Sequence, residues 1–382
     1  MTTKADTSVK FGLSTIADAP VMRGQAGAMI ELLDAVLVNG YCIRTVDSVV
    51  VASEVATVSI SAGVPYPEHA VIAMSGASVS ALNDEWRIHS VTGSSFKFNC
   101  PGIADGTATG TISVKMAPAG WVKAFEGTNL AAYRSADPAS TGVYLWMDDS
   151  DARYPRVRGY EAMTAIDAGT NPFPTFAQSA LGAYNWIKSS TADTASRPWA
   201  FVGDTRMIYP MIAAHPSNYE GIYSLGRFGD LVAFNPADPW ACEIIASTTT
   251  SINAPGQNMD SSYAVGSHAS VSRPRGLDGL YSPAPRQALS AVSSLNPAGP
   301  PPTDTQLLSE VFPTNSSLSN EPVRGKVPGL LWSYGTTTTL FNNQTVEVAD
   351  GRVLFFVRAG NQTVTSNPRH AAYDLGVTGG WR

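Results

Sequence analysis

The chain has 382 residues, enough for two or three domains, and 44% of them are apolar, which excludes a chain disordered throughout. Charged residues make up only 15%, against roughly 25% in an average soluble domain. The net charge is −6 and no run of Lys and Arg exceeds isolated pairs, so no direct nucleic-acid partner is expected. Low charge density fits a subunit that hides surface in an assembly, because charge is depleted at interface cores.

Residues 1–23 read as a polar arm punctuated by Pro20, expected to gain order from contacts outside its own domain. The arm lacks the apolar run of a secretory signal. "GQAGAMIELLDAVLVNG", residues 24–40, predicts one helix, with Met29, Ile30, Leu33, Val36 and Leu37 at helical spacing. Asn39-Gly40 supplies its stop. After Gly40 the period changes to two, through "TVDSVVVASEVATVSISAG", "AVIAMSGAS", "EWRIHSVTGSSFKFNCPG" and "GTATGTISVKMAPAGW", with Gly or Pro about every ten residues. The helix and these strands form a unit at 24–120, read as a small β-barrel or sandwich.

A larger, aromatic-rich β domain is placed at 121–248. "YLWMDDSDARYPRVRGYEAM" (144–163) predicts two strands around an acidic turn, and 197–214 a hairpin turning at Gly203-Asp204-Thr205. Residues 221–240 predict another strand pair. Residues 249–325 are rich in Pro, Gly and Ser and read as a loop-rich interfacial segment. "PRGLDGLYSP" (274–283) and "VRGKVPGLLWS" (323–333) share a recurrent turn. The segment 326–382 is expected to pack on the second domain through a hairpin at Asp350-Gly351 and a strand Tyr373–Val377. Gly379-Gly380 should then lay Trp381 on the same subunit, with Arg382 left in water. The fold class is therefore mainly β, with long loops.

No chemistry stands out. Asp148, Asp149 and Asp151 could supply oxygen donors to calcium, but the EF-hand glycine and distal glutamate are missing, so a solvated turn is expected. His69, His89, His215, His268 and His370 have no metal-ligand spacing. Cys42, Cys100 and Cys242 lie far apart without C-x-x-C, which gives no zinc site and points to a reducing compartment. There is no G-x-S-x-G elbow and no phosphate loop, because "ADGTATGT" leads into the strand-like "TISV". No catalytic residue, cofactor or metal is expected, and no stretch approaches the roughly 20 apolar residues of a membrane span. The 14 Tyr and 8 Trp suit core and interface packing, or a glycan-binding surface.

"APVMRGQAGAMIELLDAVLVNGY", "VSALNDEWRIHSV", "GIADGTATGTISVKMAPAGWVKAFEGTNLAAYRS" and "RPWAFVGDTRMIY" resemble tailed-bacteriophage virion structural proteins of the tail or neck region. The likeness runs from about residue 10 to the closing "GGWR" and is most characteristic around Gly106–Lys115. It implies a multi-copy tail, neck or baseplate component, assembled in the host cytoplasm and bound to itself and to other virion proteins. It offers no catalytic residues. A capsid decoration protein and a receptor-binding fibre or spike module recognising host glycan are the alternatives. A depolymerase is the enzymatic one, but the repeat of a long β-helix is missing.

Overall fold

The structure is a computed structural model that describes residues 2–176, 184–215, 224–247, 269–276, 288–289, 308–310, 314–315, 324–333, 343–348, 351–359 and 369–382. It is mainly β, with antiparallel sheets and one α-helix among the described residues. The helix is shorter than the periodicity predicts. It spans Ala28–Leu33 and continues as a π-helical turn over Asp34–Asn39. Gly27 is the reason for the late start: its φ of 82° is left-handed and cannot continue a helix backwards. Met29, Ile30, Leu33, Val36 and Leu37 are all buried, and so is Leu32.

Residues 41–116 form two four-stranded sheets rather than a closed barrel. One runs Tyr41–Thr45, Ser113–Met116, Val71–Ser75, Glu85–Arg87, and the other Ser95–Asn99, Val55–Ser59, Ser48–Ala52, Gly106–Ala108. Closure would need a continuous ladder between the sheets, and only an isolated bridge, His89 to Lys97, joins them. Instead Trp86 of one stacks on Phe98 of the other, with ring centroids 4.6 Å apart. Alternation decides the inner face: Val49 and Val51 are buried while Val50 between them is exposed. The hairpin at Ser53-Glu54 has both residues at positive φ without a glycine. Asp105 accepts from Ser53 N, and the Glu54 carboxylate accepts from Thr2 N and Oγ1, which holds the turn in that conformation.

The largest sheet has thirteen strands among the described residues. Its main path runs Lys10–Leu13, Trp199–Gly203, Met207–Ile212, Arg227–Asp230, Cys242–Ser247, Tyr184–Asn185, Arg156–Ala165, Tyr144–Asp148, Leu130–Ser135 and Trp121–Gly127. The expected hairpins at 144–163 and 197–214 both lie in it. Its first strand shows what orders part of the arm. Lys10–Leu13 pairs in register with Trp199–Gly203 of the same chain. Val9, Phe11, Ile16 and Met22 are buried, so four apolar side chains in a polar-looking stretch dock the arm on its own chain.

Ala269–Ser272, inside the segment read as loop, is a strand paired with Cys242–Ser247. A small residue run with one valine gives no period to read, so its sheet partner decides its conformation. At the carboxyl end Gln344–Glu347 pairs with Val353–Ala359, as the hairpin predicts, although Asp350 lies outside the described residues. The closing strand is Arg369–Asp374, between Leu330–Ser333 and Val353–Ala359, and ends three residues before Val377. One continuous hydrophobic core takes in Val9, the helix, both small sheets, the large sheet and Trp381.

Candidate functional site

The acidic loop after strand Tyr144–Asp148 is the place the sequence offers for chemistry, and its three aspartates go separate ways. Asp148 accepts from Ser150 N, and Asp151 accepts from Arg153 N and Tyr154 N, so both shape the turn. Asp149 is not part of a solvated turn. It is fully buried beneath the helix, where its Oδ2 accepts from the backbone amides of Met29 at 2.7 Å and Ile30 at 3.3 Å. Gly27 has no side chain to cap the helix, so a residue 120 positions away satisfies those amides. Asp149 Oδ1 meets Lys188 Nζ, which also donates to the carbonyl of Gln25.

Other buried charges do similar work. Arg87 spreads its guanidinium over four carbonyls: Asp6 at 2.7 Å, His69 at 2.7 Å, Val9 at 2.9 Å and Leu375 at 2.8 Å. It thereby joins the arm, a small sheet and the carboxyl-terminal sheet, and burial pushes its pKa down only to about 10, so it stays charged. Arg197 donates to Ser189 Oγ, Ala214 O, Thr191 Oγ1 and Asp193. Arg324 grips Asp238, and Glu243 lies between Arg227 and Arg273. A buried charge is tolerated when a partner or hydrogen bonds offset its lost hydration: Arg197 and Arg324 have both, Arg87 relies on its four carbonyls, and Glu243 on the two arginines. Most of these partners are remote in sequence, by as many as 288 positions, so no local pattern reveals them.

An open groove of about 460 Å³ is lined by Asp34, Val38, Asn39, Lys123, Ala124, Phe125 and Glu126. Lys123 lies 3.0 Å from Asp34 and 3.2 Å from Glu126, and Tyr133 donates to Asp34 at 2.7 Å. Burial lowers the Lys123 pKa, but those hydrogen bonds and charges outweigh it and hold the ammonium above its ordinary value. A lysine so held is no nucleophile or base at neutral pH.

Among the described residues the histidines form no metal-ligand cluster. His89 meets Ser90 and Asn99, and burial pushes the pKa values of His69 and His215 down. His268 and the His370 side chain lie outside what the structure describes. Cys42, Cys100 and Cys242 are free and buried. Among the described residues no three His, Cys, Asp or Glu side chains gather as metal ligands, and no helix is long and apolar enough to cross a membrane.

Two sheet edges carry exposed aliphatic side chains. Ile43, 67% exposed, lies on the edge strand Tyr41–Thr45, and Val122, 38% exposed, on the edge strand Trp121–Gly127. Both strands carry a bulge, at Tyr41/Arg44 and Lys123/Phe125, which breaks the ladder that a further strand would need. No protein-family model and no curated protein matches the chain.

Proposed function

We propose that the protein is a bacteriophage virion structural protein, a multi-copy component of the tail, neck or baseplate. The observation that carries this reading is Ile43 and Val122, aliphatic side chains presented at bulged sheet edges of a chain with only 15% charged residues. Such edges offer side-chain contacts to a neighbouring subunit and resist uncontrolled strand addition. The buried ion pairs support it too, because they clamp distant segments together, and Lys123 in the open groove is tied up in salt bridges of its own. On this reading the protein is not an enzyme and needs no cofactor. Its partners are other copies of itself and other virion proteins, and it assembles in the host cytoplasm.

The test is antibody labelling of purified particles viewed by electron microscopy. Label at the tail or neck in every particle supports the reading, and unlabelled particles contradict it. Label over the shell would favour a capsid decoration protein. A receptor-binding module draws on Phe176 and Phe234, aromatic residues 65% and 59% exposed, and direct binding of host-surface glycan would favour it.

A further inference from the structure

Lys188 and Asp149 are both fully buried, and the amine nitrogen of one meets Oδ1 of the other. Asp149 Oδ2 faces the backbone amides of Met29 and Ile30. Those two donors sit on the oxygen that would carry negative charge if Nζ added to Cγ. We propose that Lys188 and Asp149 condense to an isopeptide bond, a covalent staple between the loop after strand Tyr144–Asp148 and the segment after strand Tyr184–Asn185.

In water this pair is an ammonium without a lone pair and a carboxylate that resists attack. Burial favours the neutral forms of both. It pushes the Asp149 carboxyl up to about 6 and the Lys188 amine down, against their mutual attraction. Arg23 and Asp151 also act on Lys188, and Tyr133 feels the charge of Asp149. Transfer of one proton from Nζ to the carboxylate gives a free amine beside a carboxylic acid. The Nζ lone pair then forms the bond to Cγ, and the oxyanion at Oδ2 is held by the two amides. A proton passes from Nζ to Oδ1, the Cγ–Oδ1 bond breaks with its electron pair on oxygen, and water leaves. One amine and one acid give one amide and one water, with no oxidant or further reactant. Contact in a fixed geometry replaces the encounter that makes such condensations slow in solution.

The other buried pairs cannot do this. Arg227 with Glu243 and Arg324 with Asp238 use guanidinium groups, which do not lose their proton. Lys10 pairs with Glu85, but that carboxylate is 33% exposed and stays solvated.

The test is the mass of the denatured full chain, followed by a peptide map. The expected mass is about 18 Da below that of the sequence, the loss of one water when a nucleophilic amine forms an amide. The map should contain a branched peptide holding both residues, and K188R should restore the full mass. A full mass in the wild type, or a deficit that maps elsewhere with Asp149 and Lys188 in separate linear peptides, overturns the proposal. If K188R does not fold, the wild-type map alone decides.

Discussion

The indole of Trp381 lies against the α-carbon of Gly329, so close that a methyl group there would sit 2.1 Å from the ring. Gly329 has a φ of +65°, a conformation in which glycine is unstrained. The indole nitrogen donates to Asp374 O at 2.7 Å, and the ring stands edge-on to Tyr209 at 5.7 Å. Trp381 therefore docks within its own subunit, as the strand before it leads one to expect. Arg382 departs from expectation: its guanidinium leaves bulk water to donate to Asp230 O at 2.6 Å and Leu231 O at 3.0 Å. Those carbonyls sit at the end of strand Arg227–Asp230 and face the terminus, and the Asp204 carboxylate beside them supplies an ion pair.

Trp381→Ala should lower the unfolding free energy by about 3–5 kcal/mol, the usual cost of emptying a large aromatic site. Gly329→Ala should cost about 1–3 kcal/mol by overpacking the ring. Because the alanine methyl would occupy space that the indole vacates, the double variant should cost less than the sum. Urea unfolding of the four proteins measures this, and strict additivity would mean that the two residues do not share the site.

Arg87→Lys should destabilise the chain by about 2–3 kcal/mol, because one ammonium cannot reach four carbonyls arranged for a planar fork. The arm should also become open to protease cleavage before the rest of the protein, since Asp6 and Val9 lose their common donor. Limited proteolysis with mass detection checks it. An unchanged cleavage order would show that strand pairing alone holds the arm.

Deleting residues 2–13 should lower the melting temperature of the isolated subunit. It removes Val9 and Phe11 from the core and bares the edge of Trp199–Gly203. Phe11 packs on Phe355 at 5.7 Å, so the loss should reach the carboxyl-terminal sheet as well. A truncated chain as stable as the full one would return the arm to the role of a loose assembly element.

Much of the fold is legible in the sequence where one face of an element is buried. Val49, Val51, Ala56 and Val58 alternate because only one face of their sheet meets the core, and Met29, Leu33 and Leu37 recur because one side of the helix does. Legibility fails where partners are remote. Strand Lys10–Leu13 has one core side chain, Phe11, and takes its conformation from Trp199–Gly203, and Ala269–Ser272 takes its own from Cys242–Ser247. Asp149 looks like any turn aspartate, since its acceptor role depends on a helix start and a lysine that no local pattern reveals. The buried arginines are hidden for the same reason.

Stability should fall in acid partly through Asp137. The Arg206 guanidinium at 2.7 Å holds the Asp137 carboxyl below the usual aspartate range, helped by Thr205 and Ala139 N. A folded pKa below the unfolded one gives stability that is fully present above the ordinary aspartate value of about 3.9. That stability is lost as pH falls through the depressed folded value. The half-exposed pair contributes on the order of 1 kcal/mol. Asp137→Asn should therefore lower stability at neutral pH and narrow the gap to wild type below about pH 3. Denaturant midpoints across pH 2–7 give the comparison, and a constant gap would remove Asp137 from the acid response.

The proposed place in a virion is checked by a cryo-EM map of phage particles purified from cells that express this chain. Several symmetry-related copies should lie in the tail or neck, with Ile43 and Val122 buried against neighbours and each copy in contacts well above the roughly 800 Å² of crystal packing. A particle whose tail and neck density is fully assigned to other chains, with this one absent, would contradict it.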